Sequence, residues 1–289
     1  MSNYSFADDR SQLLTWLSPL GPGLRHCEIQ ERRVNHVGEW LTRTEEFRKW
    51  CGLGGESEVD KGVLFCYGNP GVGKTFIRFQ GSSPGGRSEP VLTSHHGSSL
   101  VVDRLCDQTK GQNTLVTCFY FDFAARKEQT AASVLGALLK QMVSRTGRIP
   151  ENIGRALREP REAVSGRRPQ LGDIVKILQL ITSSQRAYMV IDALDEFMTV
   201  QRFRLLDSLK AILEKSPRAR IFVTGRPHIR TEIETGLAGR VTSVSVSPTR
   251  DDIAQFLRIR LSEDETPDAM DESLKADILK KIPKNVSGM

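Results

Sequence analysis

"CYGNPGVGKTFIRFQGSSPGG", residues 66–86, leaves an apolar run, closes into a glycine-rich loop, and opens a helix that breaks off within about a turn of Lys74. Inside it, Gly68-Asn69-Pro70-Gly71-Val72-Gly73-Lys74-Thr75 has the spacing G-x-x-x-x-G-K-[ST]. It directly follows GVLFCY (62–67), which reads as a strand. The glycines let the main chain wrap an anion with its N–H groups. The helix that follows adds positive potential at its N-terminus, and Lys74 reaches the outer phosphates. The Thr75 hydroxyl would ligate Mg²⁺. A nucleoside triphosphate, ATP or GTP, is the expected ligand.

Four more segments read as buried strands: TLVTCFYFDF (114–123), AYMVID (187–192), RIFVTG (220–225) and VTSVSV (241–246). Continuous apolar runs rich in β-branched and aromatic residues suit a parallel sheet covered on both faces. Between them lie helical periods. In TAASVLGALLKQMVSR (130–145), Val134, Leu135, Leu138, Leu139 and Met142 share one face, and 172–184 and 202–215 repeat the spacing. Strands alternating with helices of this length predict an α/β fold: a three-layer P-loop core over 61–247 with a mainly parallel five-stranded sheet and flanking helices. Residues 1–60 form a helical flank in which Val37, Trp40, Leu41, Phe47 and Trp50 are packing residues. Residues 248–289 begin a further helical domain, with Thr249 and Asp252 as a capping box and Pro283 ending the last helix.

YMVIDALDEF (188–197) ends its strand in Asp192, with Asp195 and Glu196 just beyond. An acidic residue at that strand end can hold the Mg²⁺ shell opposite Thr75, and a carboxylate a few residues later can orient the attacking water. Glu196 is the first choice for that role and Asp195 the second. The next strand ends in Thr224-Gly225-Arg226-Pro227. If it lies between the two strands that carry the phosphate loop and Asp192, Arg226 faces the outermost phosphate. The other reading makes Arg226 a helix-start residue ahead of a capping proline.

The phosphate loop, FYFDFAARKEQTAASVLGALLKQ (119–141), IDALDE (191–196) and IFVTGRP (221–227) follow in this order. Together they resemble the NACHT branch of the STAND NTPases, and among these the fungal proteins with a nephrocystin-3-like core. VGEWLTRTEEFRKW (37–50) is similar to the family's segment ahead of the first strand. The similarity covers about residues 30–262. It implies a P-loop fold with an additional strand, ATP or GTP with Mg²⁺, slow hydrolysis, and nucleotide-gated homo-oligomerisation through the NTPase domain in signalling. It also implies an effector domain before the NTPase and a winged helix and sensor repeats after it. Their lack here reads as truncation. Two other readings remain: an AAA-type remodelling ATPase, with Arg218 or Arg220 as its arginine finger, and a nucleotide-binding scaffold without turnover.

The broken helix has its own logic. With residues 78–97 excised, Ile77 is followed three, four and eight places on by Leu100, Val101 and Leu105, the stripe of a helix packed on a sheet. The excised segment is rich in Gly, Ser and Pro and lacks periodicity, so we read it as an insertion or a retained intron. His95 and His96 within it belong to a solvated loop rather than a metal site.

Composition narrows the setting. A net charge of +6 and a pI near 9.1 come from basic residues interleaved with acids, and no nucleic-acid module is recognisable. Nucleic acid is therefore not expected as a partner. No apolar run reaches the roughly 18 residues of a membrane span, so no membrane association is expected. The N-terminus lacks the pattern of a secretory signal. The five cysteines form no C-x-x-C pair and suit free thiols in a reducing, cytoplasmic compartment.

Overall fold

The computed structural model describes residues 11–31, 38–52, 61–68, 96–146, 151, 153–156, 168–247, 249–262 and 271–285. Five strands, β1 (Val63–Tyr67), β2 (Thr114–Tyr120), β3 (Arg186–Asp192), β4 (Ala219–Gly225) and β5 (Val241–Ser245), form one sheet in the order β2-β3-β4-β1-β5. Every pairing is parallel. The register brings Tyr67 level with Gly225, and Tyr120 level with Asp192, so the carboxyl ends of the strands share one edge of the sheet. Ligands of open α/β sheets bind at that edge. β4 lies between β3 and β1, which meets the condition for Arg226 to stand beside the phosphate loop.

The central strands are apolar on both sides because both sides are covered. One face carries α6 (Ala131–Arg145), α7 (Leu171–Ser184), α8 (Thr199–Lys215) and α9 (Arg230–Gly236). Val134, Leu138, Ile177, Leu205 and Leu209 are buried there against Met189, Ile191 and Val223. Each such side chain contributes about 1.5–3 kcal/mol on burial. The N-terminal helix α1 (residues 11–17) joins this layer through Leu17, which packs at Gly136 of α6.

The opposite face carries α2 (Pro22–Glu31), α3 (Trp40–Arg43), α4 (Glu45–Trp50) and α5 (His96–Gln108). Thr44 caps α4 by accepting the Phe47 N–H at 3.2 Å, as an N-cap threonine should. Trp50 then lies against Tyr188 and Phe222, and its indole N–H donates to the Gly62 carbonyl at 3.2 Å. Val101 and Leu105 of α5 are buried beside Leu64 and Val190. Beyond the sheet, α10 (Arg250–Ser262) packs with α11 (Glu272–Asn285).

Several details depart from the sequence reading. The second strand stops at Tyr120, and residues 121–130 form a loop over the strand tips. The two helices before residue 32 were not foreseen. Pro283 lies inside α11 rather than ending it. The Thr249–Asp252 capping box forms: Asp252 N–H donates to Thr249 Oγ1 at 3.0 Å, and Thr249 N–H donates to Asp252 Oδ2 at 3.2 Å. No described helix is long and apolar enough to cross a membrane.

Candidate nucleotide site

β3 delivers Asp192 to the carboxyl edge with its side chain fully enclosed. A carboxylate out of reach of water needs donors or a cation. Two hydroxyls supply donors. Thr224 of β4 donates to Asp192 Oδ1 at 2.6 Å, and Ser98 of α5 donates to the same oxygen. Thr224 Oγ1 also accepts the N–H of Ala193 at 2.9 Å. That contact fixes an unusual turn, because Ala193 adopts the left-handed conformation at φ 56° and ψ 44°. Such a conformation costs a residue with a Cβ about 1–2 kcal/mol. It bends the chain into a 3₁₀ turn over Leu194–Glu196 and sends Asp195 and Glu196 to different partners.

Asp195 faces β4. Its Oδ1 accepts the Arg226 main-chain N–H at 3.1 Å, and its Oδ2 pairs with Arg226 Nε at 3.0 Å. The Asp195 side chain is 8% exposed and that of Arg226 49%. Glu196 is half-buried and faces the loop after β2, where its Oε2 accepts the Phe123 N–H at 3.2 Å. The two carboxylates that sequence alone ranked only by order of choice thus occupy different settings. One is bound to an arginine, and the other stands at the lip formed by residues 121–130.

Gly68 is buried at the end of β1, between the tips of β4 and β5. The Tyr67 carbonyl just before it accepts the Val246 N–H at 2.7 Å, and Arg230 lies over the Tyr67 ring while donating to its hydroxyl at 2.8 Å. Asn69, Pro70, Gly71, Val72, Gly73, Lys74 and Thr75 lie outside the described residues, as does 78–95 of the proposed insertion. His96 and Gly97, its last two residues, already form the start of α5.

Ser98 and Thr224 were not foreseen as partners of Asp192. The signal for Ser98 was available: with 78–97 excised it stands three places after Thr75, one helical turn along on the same face. Thr224 was visible at its strand tip, but the contact depends on β4 lying next to β3. Arg218 and Arg220 sit at the other end of β4. Arg220 is buried, donating from Nε to the Trp50 carbonyl at 3.2 Å and from Nη1 to Pro217 at 2.8 Å, and Arg218 reaches the Ser184 carbonyl at 3.4 Å. Arg220 is a fastener between α4 and the sheet, and neither arginine lies at the Asp192 edge.

The strand order, the glycine-rich loop leaving β1 and the acidic end of β3 define a P-loop NTPase, a nucleotide-binding fold. Residues 95–226 match the family "Nephrocystin 3, N-terminal", so over that span the resemblance carried by the motifs holds. The match opens just past the interrupted helix. Among curated proteins no sequence matches the chain. Among solved structures, the chain is similar in fold to Cdc6p from Pyrobaculum aerophilum, with a TM-score of 0.51 at 11% identity. That alignment covers 94% of this chain and 60% of Cdc6p, so the chain spans about three fifths of that protein's length. It also aligns with the Aeropyrum pernix ORC1 protein in complex with DNA, at TM-score 0.42, 16% identity and coverage of 95% and 59%. Drosophila ORC bound to DNA aligns at TM-score 0.42 and 11% identity, covering 86% of this chain and 55% of that one. The exclusion of nucleic acid as a partner is corrected here. Both of these neighbours were solved with DNA, so the lack of a recognisable nucleic-acid module is no ground for that exclusion.

Proposed function

We propose that the chain binds Mg²⁺-ATP or Mg²⁺-GTP at the carboxyl edge of its sheet, hydrolyses it slowly, and uses the bound state as a NACHT-type signalling switch for self-association. The observation that carries this reading is the buried Asp192, held by Thr224 and Ser98 beside the exit of β1 into the phosphate loop. A carboxylate with hydroxyls around it is a set of hard oxygen donors, which fits Mg²⁺. Asp192 and Thr75 would hold the ion, which when bound neutralises charge on the β- and γ-phosphate oxygens.

The chain's own residues do the rest. Main-chain N–H groups from Gly68 through Thr75 cradle the phosphates, and Lys74 places its ammonium on the outer ones. Glu196, half-buried at the loop lip, orients the attacking water and receives its proton. Arg226 stands at the β4 tip, where it can reach the outermost phosphate. The arginine-finger reading loses support, since Arg220 is buried against carbonyl oxygens of its own chain.

Phosphate release by the parent, Glu196→Gln and Asp192→Asn, measured beside nucleotide binding, tests the assignment. The proposal expects Glu196→Gln to bind Mg²⁺-nucleotide normally and turn over at least about 100-fold more slowly, and Asp192→Asn to lose most of its Mg²⁺ dependence. Normal turnover by Glu196→Gln contradicts the role given to Glu196. Binding without turnover in the parent favours a nucleotide-binding scaffold.

A further inference from the structure

The Asp195–Arg226 pair joins a residue of the β3 tip to one residue of the β4 tip twice, through the main-chain N–H and through the side chain. We propose that Asp195 is a positioning residue that restrains Arg226, holding it until a nucleoside triphosphate draws it away, and thereby sets how strongly the site prefers triphosphate over diphosphate. The inference rests on the nucleotide reading above.

Three features of the pair support it. Asp195 is nearly enclosed, and both of its oxygens are engaged by Arg226, a poor setting for a base that must take a proton from water. Arg226 is half exposed and contacts Asp195 through Nε, so the far side of its guanidinium faces solvent at the edge where β1 hands over to Gly68. The two contacts also respond differently to a competing anion. When the side chain leaves, the main-chain N–H can still donate to Oδ1, so the carboxylate keeps a partner and the β4 tip stays in place.

The direction of the exchange follows from charge. A half-exposed ion pair is weakly favourable because solvent screens it and the side chain loses freedom. A terminal phosphate carries more charge than a carboxylate and offers a guanidinium two parallel hydrogen bonds. A diphosphate lacks that outermost group and leaves the restraint closed. Holding Arg226 on Asp195 lowers the fraction of chains ready for a triphosphate, and apparent affinity falls by the same fraction.

The experiment compares binding of non-hydrolysable ATP and GTP analogues with binding of ADP and GDP, all with Mg²⁺, by the full chain and by Asp195→Asn. Asparagine keeps an oxygen for the Arg226 N–H but removes the charge. The variant is expected to bind the triphosphate analogue about two- to fivefold more tightly, with diphosphate affinity unchanged. In the parent, the Arg226 Nε–H NMR signal, assigned by its loss in Arg226→Lys, is expected to move with the triphosphate analogue and not with the diphosphate. This second measurement decides the matter even where Asp195→Asn fails to fold. An unchanged triphosphate-to-diphosphate ratio, or an Arg226 signal insensitive to the triphosphate, overturns the restraint while leaving nucleotide binding intact. Failure of the parent to bind any nucleotide overturns the nucleotide reading itself, and this inference with it.

Discussion

Thr224 donates its hydroxyl to Asp192 at 2.6 Å, and with the same oxygen accepts the N–H of Ala193 at 2.9 Å. One side chain therefore aims the buried carboxylate and holds the left-handed turn that follows it. Replacing it with valine keeps the shape and removes both functions. Thr224→Val is expected to lose about 1–3 kcal/mol of stability, the cost of leaving buried polar groups short of a partner. It should also weaken the Mg²⁺ dependence of nucleotide binding, whereas Thr224→Ser should retain most of both. Urea unfolding and Mg²⁺ titrations read the two effects separately. Wild-type behaviour in Thr224→Val contradicts the role given to the hydroxyl.

Gly136 and Gly172 make a matched pair of helix glycines. A Cβ on Gly136 would run into the Leu17 carbonyl oxygen, while a Cβ on Gly172 would meet nothing within 4 Å. The segment after α1 is pinned there, with Ser18 Oγ donating to the Ser133 carbonyl at 2.9 Å and Lys140 Nζ donating to the Ser18 carbonyl at 3.2 Å. Gly136→Ala should therefore destabilise by about 1–3 kcal/mol through overpacking, despite better helix propensity. Gly172→Ala should stabilise by about 0.5–1 kcal/mol. Thermal melts of the two variants, expected to shift in opposite directions, provide the check.

Burial pushes the thiols of Cys51 and Cys118 up to about 12, and raises those of Cys66 and Cys106 as well. The folded chain keeps these groups protonated where the unfolded chain would ionise. Their contribution to stability is intact below the ordinary thiol range and falls as pH rises through it toward about 12. The urea midpoint should therefore drop between pH 8 and pH 10. At neutral pH a thiol reagent should modify exposed Cys27 quickly, and buried Cys51, Cys66 and Cys118 only on unfolding. Fast modification of any of these three in the folded chain contradicts the packing described for them.

The proposed insertion at 78–97 can be removed directly. Val101 and Leu105 of α5 are already buried, so deletion brings little new burial beyond continuity with Ile77. Closing a loop of this length carries only a slowly growing entropic cost. The deletion variant is expected to melt a few degrees higher, on the order of 1 kcal/mol, and to bind nucleotide more tightly, because the helix behind the phosphate loop becomes continuous. Unfolding of the deletion variant contradicts the insertion reading.

The sheet was legible because a doubly covered strand leaves a plain signature. VLFCY, MVID and IFVTG are apolar on both faces, and the helices between them carry stripes that match the buried residues of α6, α7 and α8. The site was legible only where a residue's role follows from its place on its own strand, as for Asp192. Ser98 and Thr224 act across elements, and their contacts depend on the order of strands and on where α5 docks. The helix α2 escaped notice because only Pro22 and Ile29 are buried along it. It is held largely by polar contacts, among them His26 Nδ1 to the Tyr120 hydroxyl at 2.7 Å and Gln30 to Asp103 at 3.3 Å. Contacts of that kind leave no periodicity to read.

The central claim is that this edge of the sheet binds a nucleoside triphosphate through the loop from Gly68 to Thr75. Its most direct test is the dissociation constant of a fluorescent ATP or GTP analogue, with Mg²⁺, for the parent and for Lys74→Ala. The account predicts saturable binding by the parent and a loss of at least tenfold in the variant, about 1.4 kcal/mol or more. Equal affinity in the two proteins would contradict it.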